Sequence, residues 1–141
     1  METVKIYLSG GMSGLTLDKQ LAWRNRVEKA INFNREPLKK PIFFSPPNYY
    51  SPNITIHKSE KEVMEFDLYN LRKSDIVIVN FNVPSSIGTA MELAIAKENH
   101  IPIIGLDLDG NELHPWLVEC CTRICRTFVE LIDHVTDFYL K

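Results

Sequence analysis

The stretch "DIVIVNF", Asp75 to Phe81, holds consecutive β-branched apolar residues with no polar residue alternating among them. A strand with one face in water alternates apolar and polar side chains, so a run without alternation reads as a strand covered on both faces. A second run, "IPIIGL", Ile101 to Leu106, follows after a segment of helical length. Strands alternating with helices predict a doubly wound α/β fold, flavodoxin-like or Rossmann-like, with a parallel sheet of about five strands and helices on both faces.

The remaining elements fit that frame. "VKIYLSGGMSG" opens with a strand, Val4 to Leu8, and runs into a turn where Gly10, Gly11 and Gly14 admit backbone angles that other residues resist. A helix is expected over roughly Asp18 to Phe33, with Leu21, Val27, Ala30 and Ile31 near one face and Trp23 and Arg24 as packing and surface residues. "PIFFSPPNYYSPN" supplies a short strand, Ile42 to Phe44, stopped by prolines that cannot donate to a ladder, and then an ordered loop. Ser59 and Glu62 form a capping-box pattern before "EKEVMEFDLYNLRKS", where Asp67 has Val63, Phe66 and Leu71 as apolar neighbours. Past the third strand comes the helix that holds Glu92. Pro115 suits the first position of a short helix, "RIC" a fifth strand, and Thr127 with Glu130 a second capping box before "FVELIDHVTDFYL". Without internal repeats or low-complexity segments, residues 1–141 read as one domain.

Composition excludes several functions. Apolar residues make up 45% and charged residues 24%, unlike a disordered chain, and a net charge of -2 predicts no surface for a nucleic-acid polymer. The apolar runs fall far short of the roughly 20 residues a membrane span needs, and the amino end carries no secretory pattern, so a cytoplasmic protein is expected. Cys120, Cys121 and Cys125 in "CCTRIC" have no companion pair at zinc spacing; they are expected as buried free thiols, with no metal site.

In doubly wound sheets, ligands bind beyond the carboxyl ends of strands, where strand order reverses. The glycine-rich turn, the segment Asn80 to Thr89 and Glu92 converge there. Backbone amides of those turns, with the hydroxyls of Ser9, Ser13, Ser85 and Ser86, form a candidate anion site, although "SGGMSG" is neither a Walker loop nor a dinucleotide motif. Taken singly, Glu92 complements a helix dipole, Asp67 is a solvated charge and Tyr7 is a core aromatic. Taken together, Tyr7 at the end of strand one, Asp67 on the second helix and Glu92 at the opening of the third face one cleft.

"KIYLSGGMSG", "FDLYNLRKSDIVIVN" and "SSIGTAMELAIAKENHIPIIGL", in this order, resemble the nucleoside 2-deoxyribosyltransferase superfamily, which includes nucleoside 5'-monophosphate N-glycosidases. The match spans roughly residues 4 to 106, and its most specific part is Gly88 followed four positions later by Glu92. The resemblance implies Glu92 as nucleophile, Tyr7 as the residue that orients it and Asp67 as the group protonating the departing base. Cleaving an N-glycosidic bond builds positive charge on the sugar, which a carboxylate below the anomeric carbon stabilises and can trap, while apolar neighbours keep an acid protonated. By analogy with retaining glycosidases the two carboxyls are expected about 5 Å apart.

Nucleoside transferases of the superfamily have an aspartate six residues before the nucleophile, where this chain has Ser86; a serine there is similar to the 5'-monophosphate hydrolases. The resemblance therefore implies a phosphate cradle of Gly10, Gly11, Ser13 and Ser86, with Ser9 and Gly88 beside it, although those hydrolases carry an arginine where Ser13 stands. It also implies a homodimer or larger assembly in which a residue after the fourth strand, here His114, completes a neighbouring site. No cofactor is implied. Tyr49, Tyr50 and Trp116 are candidates to stack on a base. Competing readings are a deoxyribosyltransferase that exchanges bases, a nucleotide-binding sensor without turnover, and a phosphoribohydrolase that shares the "GTAME" pattern.

Overall fold

The computed structural model describes residues 2–34, 38–50 and 57–141. Its strand β3, Ile76–Asn80, is buried at every position. The other strands are β1 (Thr3–Gly10), β2 (Lys40–Phe44), β4 (Ile103–Leu106) and β5 (Arg123–Cys125). They lie in the order β2-β1-β3-β4-β5 with every neighbouring pair parallel. Between them run α1 (Leu17–Asn34), a 3-10 turn (Pro46–Tyr49), α2 (Glu60–Arg72), α3 (Ile87–Glu98), α4 (Pro115–Cys120) and α5 (Phe128–Tyr139). This is the doubly wound α/β sheet expected from the apolar runs.

The two-residue period of the strands sorts their side chains between two cores. Ile6, Leu8, Ile76, Ile78 and Ile104 pack with Val27 and Ile31 of α1 and Leu131 and Val135 of α5. On the other face Tyr7, Val77, Val79 and Ile103 pack with Leu71 of α2, Leu93 and Ala96 of α3 and Leu117 of α4. Each such aliphatic side chain contributes roughly 1.5–3 kcal/mol on burial. The alternation turns Tyr7, and with it Ser9, toward α2 and α3. Strand order reverses between β1 and β3, because the chain leaves β1 for β2 on one side and returns to β3 on the other.

Several details differ from the sequence reading. β1 continues past Leu8 to Gly10, whose pairing partner is Asn80, and β2 begins at Lys40, whose amide donates to the Glu2 carbonyl at 2.8 Å. Gly14 alone of the three turn glycines has a positive φ, 78°. Gly11 is required by close approach instead: a Cβ there would lie 2.6 Å from the Cβ of Val83. Both N-caps form, with Ser59 Oγ accepting from the Glu62 amide at 3.2 Å and Thr127 Oγ1 from the Glu130 amide at 3.1 Å, while the glutamates reach back to the amides one residue before the cap, Lys58 and Arg126. Of the three free cysteines only Cys125 is buried; Cys120 and Cys121 are partly exposed, which corrects the expectation for those two. Ser51, Pro52 and Asn53 of the proline-rich loop lie outside the described residues. Among the described residues no helix is long and apolar enough to cross a membrane.

Candidate active site

A cavity of about 550 Å³ opens at the carboxyl ends of β1 and β3. Gly10, Gly11, Met12 and Ser13 form one side, Ser85, Ser86, Gly88 and Glu92 a second, and Tyr50, Val63, Met64 and Asp67 a third. Its charged lining consists of Glu60, Asp67 and Glu92, with no lysine, arginine or histidine among the described residues.

Glu92 rises from the second turn of α3, and no acidic residue occupies the first turn. The helix dipole fades beyond the first turn, so it does not account for a carboxylate at this position. What meets Glu92 comes from β1: the Tyr7 hydroxyl donates to Oε2, and Ser9 Oγ donates to Oε1 at 3.2 Å. Ser9 is therefore not at the anion-binding turn, where its hydroxyl was expected. The extension of β1 buries it and points it, like Tyr7, at α3. Glu92 keeps part of its surface open to the cleft and is crowded by protein elsewhere. Burial pushes its carboxyl up to about 7, with the negative charge of Asp67 acting in the same direction and Tyr7, Ser9 and Arg24 opposing.

Arg24 corrects the sequence reading outright. Its side chain is fully buried, and its guanidinium donates to the carbonyls of Leu8 (3.2 Å), Gly10 (3.3 Å) and Gln20 (2.6 Å). It thereby ties α1 to the end of β1 and sets a cation behind the two carboxyls, whose charges favour its protonated form while burial lowers it to about 10. The signal was present in the sequence: Arg24 lies three residues before Val27 and seven before Ile31, on the stripe those residues bury.

Asp67 is half-buried on α2 and lines the cavity. The Tyr50 hydroxyl donates to its Oδ1. Burial pushes this carboxyl up to about 6, against the hydrogen bond from Tyr50 and the charges of His57 and Arg24. Of the three aromatics considered for base stacking, Tyr50 reaches the cavity. Tyr49 packs between Phe44 and Phe66 at ring separations of 5.1 Å, and Trp116 is exposed outside the lining.

At the glycine-rich turn the Gly11 amide is already engaged, donating to Asn82 Oδ1 at 3.0 Å, which also accepts from the Val83 amide at 3.0 Å. Asn82, not singled out from sequence, thus clamps this turn to the β3–α3 loop and removes Gly11 as an anion donor. Ser86 caps α3, its Oγ accepting from the Thr89 amide at 3.3 Å and from Thr89 Oγ1 at 3.0 Å. Its own proton is left for an acceptor in the cleft, as are the first-turn amides of Ile87 and Gly88, which have no acceptor within the helix. A Cβ at Gly88 would meet nothing within 4 Å. Ser13 is exposed at the rim. His114 is exposed, caps α4 by accepting from the Trp116 amide on Nδ1 at 3.1 Å, and does not line the cavity of its own chain. Among the described residues no group of three metal-ligating side chains occurs.

A family model described as a domain of unknown function, DUF4406, matches residues 4–105. No curated protein matches the chain. Among solved structures, a conserved protein from Enterococcus faecalis V583 is similar at a TM-score of 0.77 and 18% identity, over 96% of this chain and 98% of that one. A 2-deoxyribosyltransferase from Bacillus psychrosaccharolyticus is similar at 0.73 and 17%, over 92% and 91%. A CMP N-glycosidase from Clostridium botulinum is similar at 0.57 and 18%, over 96% and 99%. At these identities the likeness is one of fold.

Proposed function

The chain belongs to the DUF4406 family of domains of unknown function, so its activity must be argued from its own cleft, and we propose that it cleaves the N-glycosidic bond of a (deoxy)nucleoside 5'-monophosphate, releasing free base and sugar phosphate. The observation that carries this reading is that two of the three carboxyls lining the cavity are held by hydroxyls, Glu92 by Tyr7 and Ser9 and Asp67 at one oxygen by Tyr50. In the first step a Glu92 oxygen bonds to the anomeric carbon as the bond to the base breaks, and Asp67 gives its proton to the departing nitrogen. In the second, Asp67 takes a proton from water while the water oxygen displaces Glu92, restoring both groups. Near neutrality the pair shares one negative charge, and positive charge developing on the sugar favours its residence on Glu92. The neighbouring solved deoxyribosyltransferase and CMP N-glycosidase support a reaction at this kind of bond.

The phosphate is assigned to Ser13, the Ser86 hydroxyl and the first-turn amides of α3, including Gly88, where partial positive charge and free donors coincide. In this reading residues 1–141 act as one domain, and His114 serves the cleft of a second copy in a homodimer. A second reading, base exchange on an unphosphorylated deoxynucleoside, is favoured by one observation: three carboxylates and no basic side chain line the described cavity. Incubation with each nucleoside and each 5'-monophosphate, with and without a second free base, followed by chromatography, separates these outcomes. Release of base from monophosphates alone supports the first reading. Exchange on nucleosides selects the second, and no cleavage of any of them overturns both.

A further inference from the structure

Tyr50 both lines the cleft and holds one oxygen of Asp67. It follows the 3-10 turn, its amide donates to the Pro47 carbonyl at 3.3 Å, and Pro46 and Pro47 beneath it are buried. Its ring stands 5.3 Å from that of His57, which in turn lies 4.7 Å from Phe66 on α2. The hydroxyl is thus brought to α2 on a braced aromatic, and it selects the Asp67 carboxyl, with the Val63 carbonyl at 3.4 Å as a weaker alternative acceptor.

Resting on the reading of Asp67 as the acid, we propose that Tyr50 is its positioning residue: by occupying Oδ1, the Tyr50 hydroxyl assigns the transferable proton to Oδ2 and then stabilises the carboxylate left when that proton departs. The physical reason is acceptor strength. In a neutral carboxylic acid the carbonyl oxygen accepts better than the hydroxyl oxygen, so a donor fixed at Oδ1 favours the tautomer with the proton on Oδ2. As the proton moves to the base, Asp67 gains charge and the Tyr50 bond becomes charge-assisted, so it is stronger in the transition state than in the ground state. No atom of Tyr50 is consumed; its proton stays on its own oxygen.

The groups facing Asp67 define what a titration reads. Tyr50, His57 before α2 and Arg24 from α1 favour the ionised carboxyl, while burial opposes it. Glu92 on α3 is coupled to Asp67, and Tyr7 on β1 and Glu60 on α2 belong to the same electrostatic cluster. Tyr50→Phe deletes one oxygen, keeps the ring against His57 and leaves the other groups in place.

The variant is expected to cleave substrates with poor leaving bases about 10- to 100-fold more slowly, the scale of one hydrogen bond to a charged group. The Asp67 carboxyl is expected to lose its proton at higher pH, because the lost donor favoured the carboxylate. Carbon-13 titration of the Asp67 carboxyl should show the same upward move without reference to turnover. In an Asp67→Asn background, Tyr50→Phe should add little further loss. An unchanged Asp67 titration, or equal and independent losses from the two substitutions, would overturn the positioning role. Glu92→Gln, assayed alongside, keeps the two levels apart: full activity there sinks the glycosidic reading itself, whereas an inactive Glu92→Gln with a wild-type Tyr50→Phe sinks only this inference.

Discussion

Glu92 and Asp67 line the same cavity, and burial raises both carboxyls, yet they are supported from opposite kinds of structure. Glu92 leans on the sheet. Both of its oxygens meet hydroxyls from Tyr7 and Ser9, successive positions on one face of β1, a strand paired on both sides and tied to α1 by Arg24. Asp67 leans on the periphery, where one oxygen is held by a tyrosine that follows a 3-10 turn and the other meets no donor among the described residues. The difference matches the two tasks proposed for them. A nucleophile must be fixed to a fraction of an ångström relative to the carbon it attacks, and a rigid strand provides that. An acid must release a proton and receive it back, so one oxygen has to remain uncommitted.

The strongest way to break this comparison is to remove the charge from the sheet-founded side. Glu92→Gln keeps the shape and much of the hydrogen bonding but loses nucleophilicity, and turnover is expected to fall by at least about 10³-fold with the fold retained. Steady-state rates with circular dichroism as the structural control decide it; residual activity within a few-fold of the parent would make the two carboxyls equivalent and the comparison empty. Asp67→Asn comes next, at about 10²-fold for bases that need protonation and much less for bases that leave readily. Equal slowing across a series of leaving groups would remove the acid from the peripheral site.

Much of this arrangement was legible in the sequence, for reasons that can be stated residue by residue. Ile76 to Val79 announced a parallel sheet because only burial on both faces tolerates four apolar residues in succession. Ser59 and Thr127 marked helix starts because capping is local chemistry, read within four residues. Tyr7, Asp67 and Glu92 were found through a resemblance of motifs, not through spacing alone. Contacts between distant segments were the part that stayed hidden. Asn82 meets Gly11 across 71 positions and Tyr50 meets Asp67 across 17, and no periodicity encodes either. Ser9 reads as a turn hydroxyl if β1 ends at Leu8, and the strand's two further residues make it a strand side chain. Arg24 was missed because a charged residue on a helix is usually exposed, and its carbonyl partners at Leu8 and Gly10 become visible only once α1 lies on the sheet.

Tyr7→Phe sharpens the comparison from the other direction. The phenol donates to Glu92 and favours its ionised form, against burial. Its loss should raise the Glu92 pKa and lower the rate about 10-fold or more at pH 6, where the attacking carboxylate becomes scarcer. Tyr50→Phe is expected to raise the Asp67 value instead. A profile of the parent protein that is bell-shaped and highest between about pH 6 and 7 is the reference for both, since the active form carries one charge on two coupled carboxyls with values raised to about 6 and about 7. A Glu92 carboxyl whose carbon-13 titration does not move upward in Tyr7→Phe would remove the tyrosine from the support of the nucleophile.

The smallest effect expected concerns stability, and its sign follows from linkage. Burial raises Glu92 from an ordinary 4.5 to about 7, so between those values the folded chain binds more protons than the unfolded chain. The stabilisation tied to its neutral form is present at low pH and is lost as pH rises through about 7; Asp67, raised from 3.8 to about 6, acts in the same direction. At pH 8 the parent therefore holds an ionised carboxyl in a poorly hydrated place. Glu92→Gln relieves it, and on the order of 1–3 kcal/mol of added stability, or roughly 3–10 °C in Tm, is expected at that pH. The gain should shrink toward zero near pH 4.5, where the parent carboxyl is protonated as well, and Asp67→Asn should gain less because its shift is smaller. Calorimetry of the three proteins at the two pH values tests this directly. A Glu92→Gln variant equally destabilised at both would mean that Tyr7 and Ser9 bind the carboxylate strongly enough to offset its burial, and the sheet-founded site would then be a source of stability as well as of reactivity.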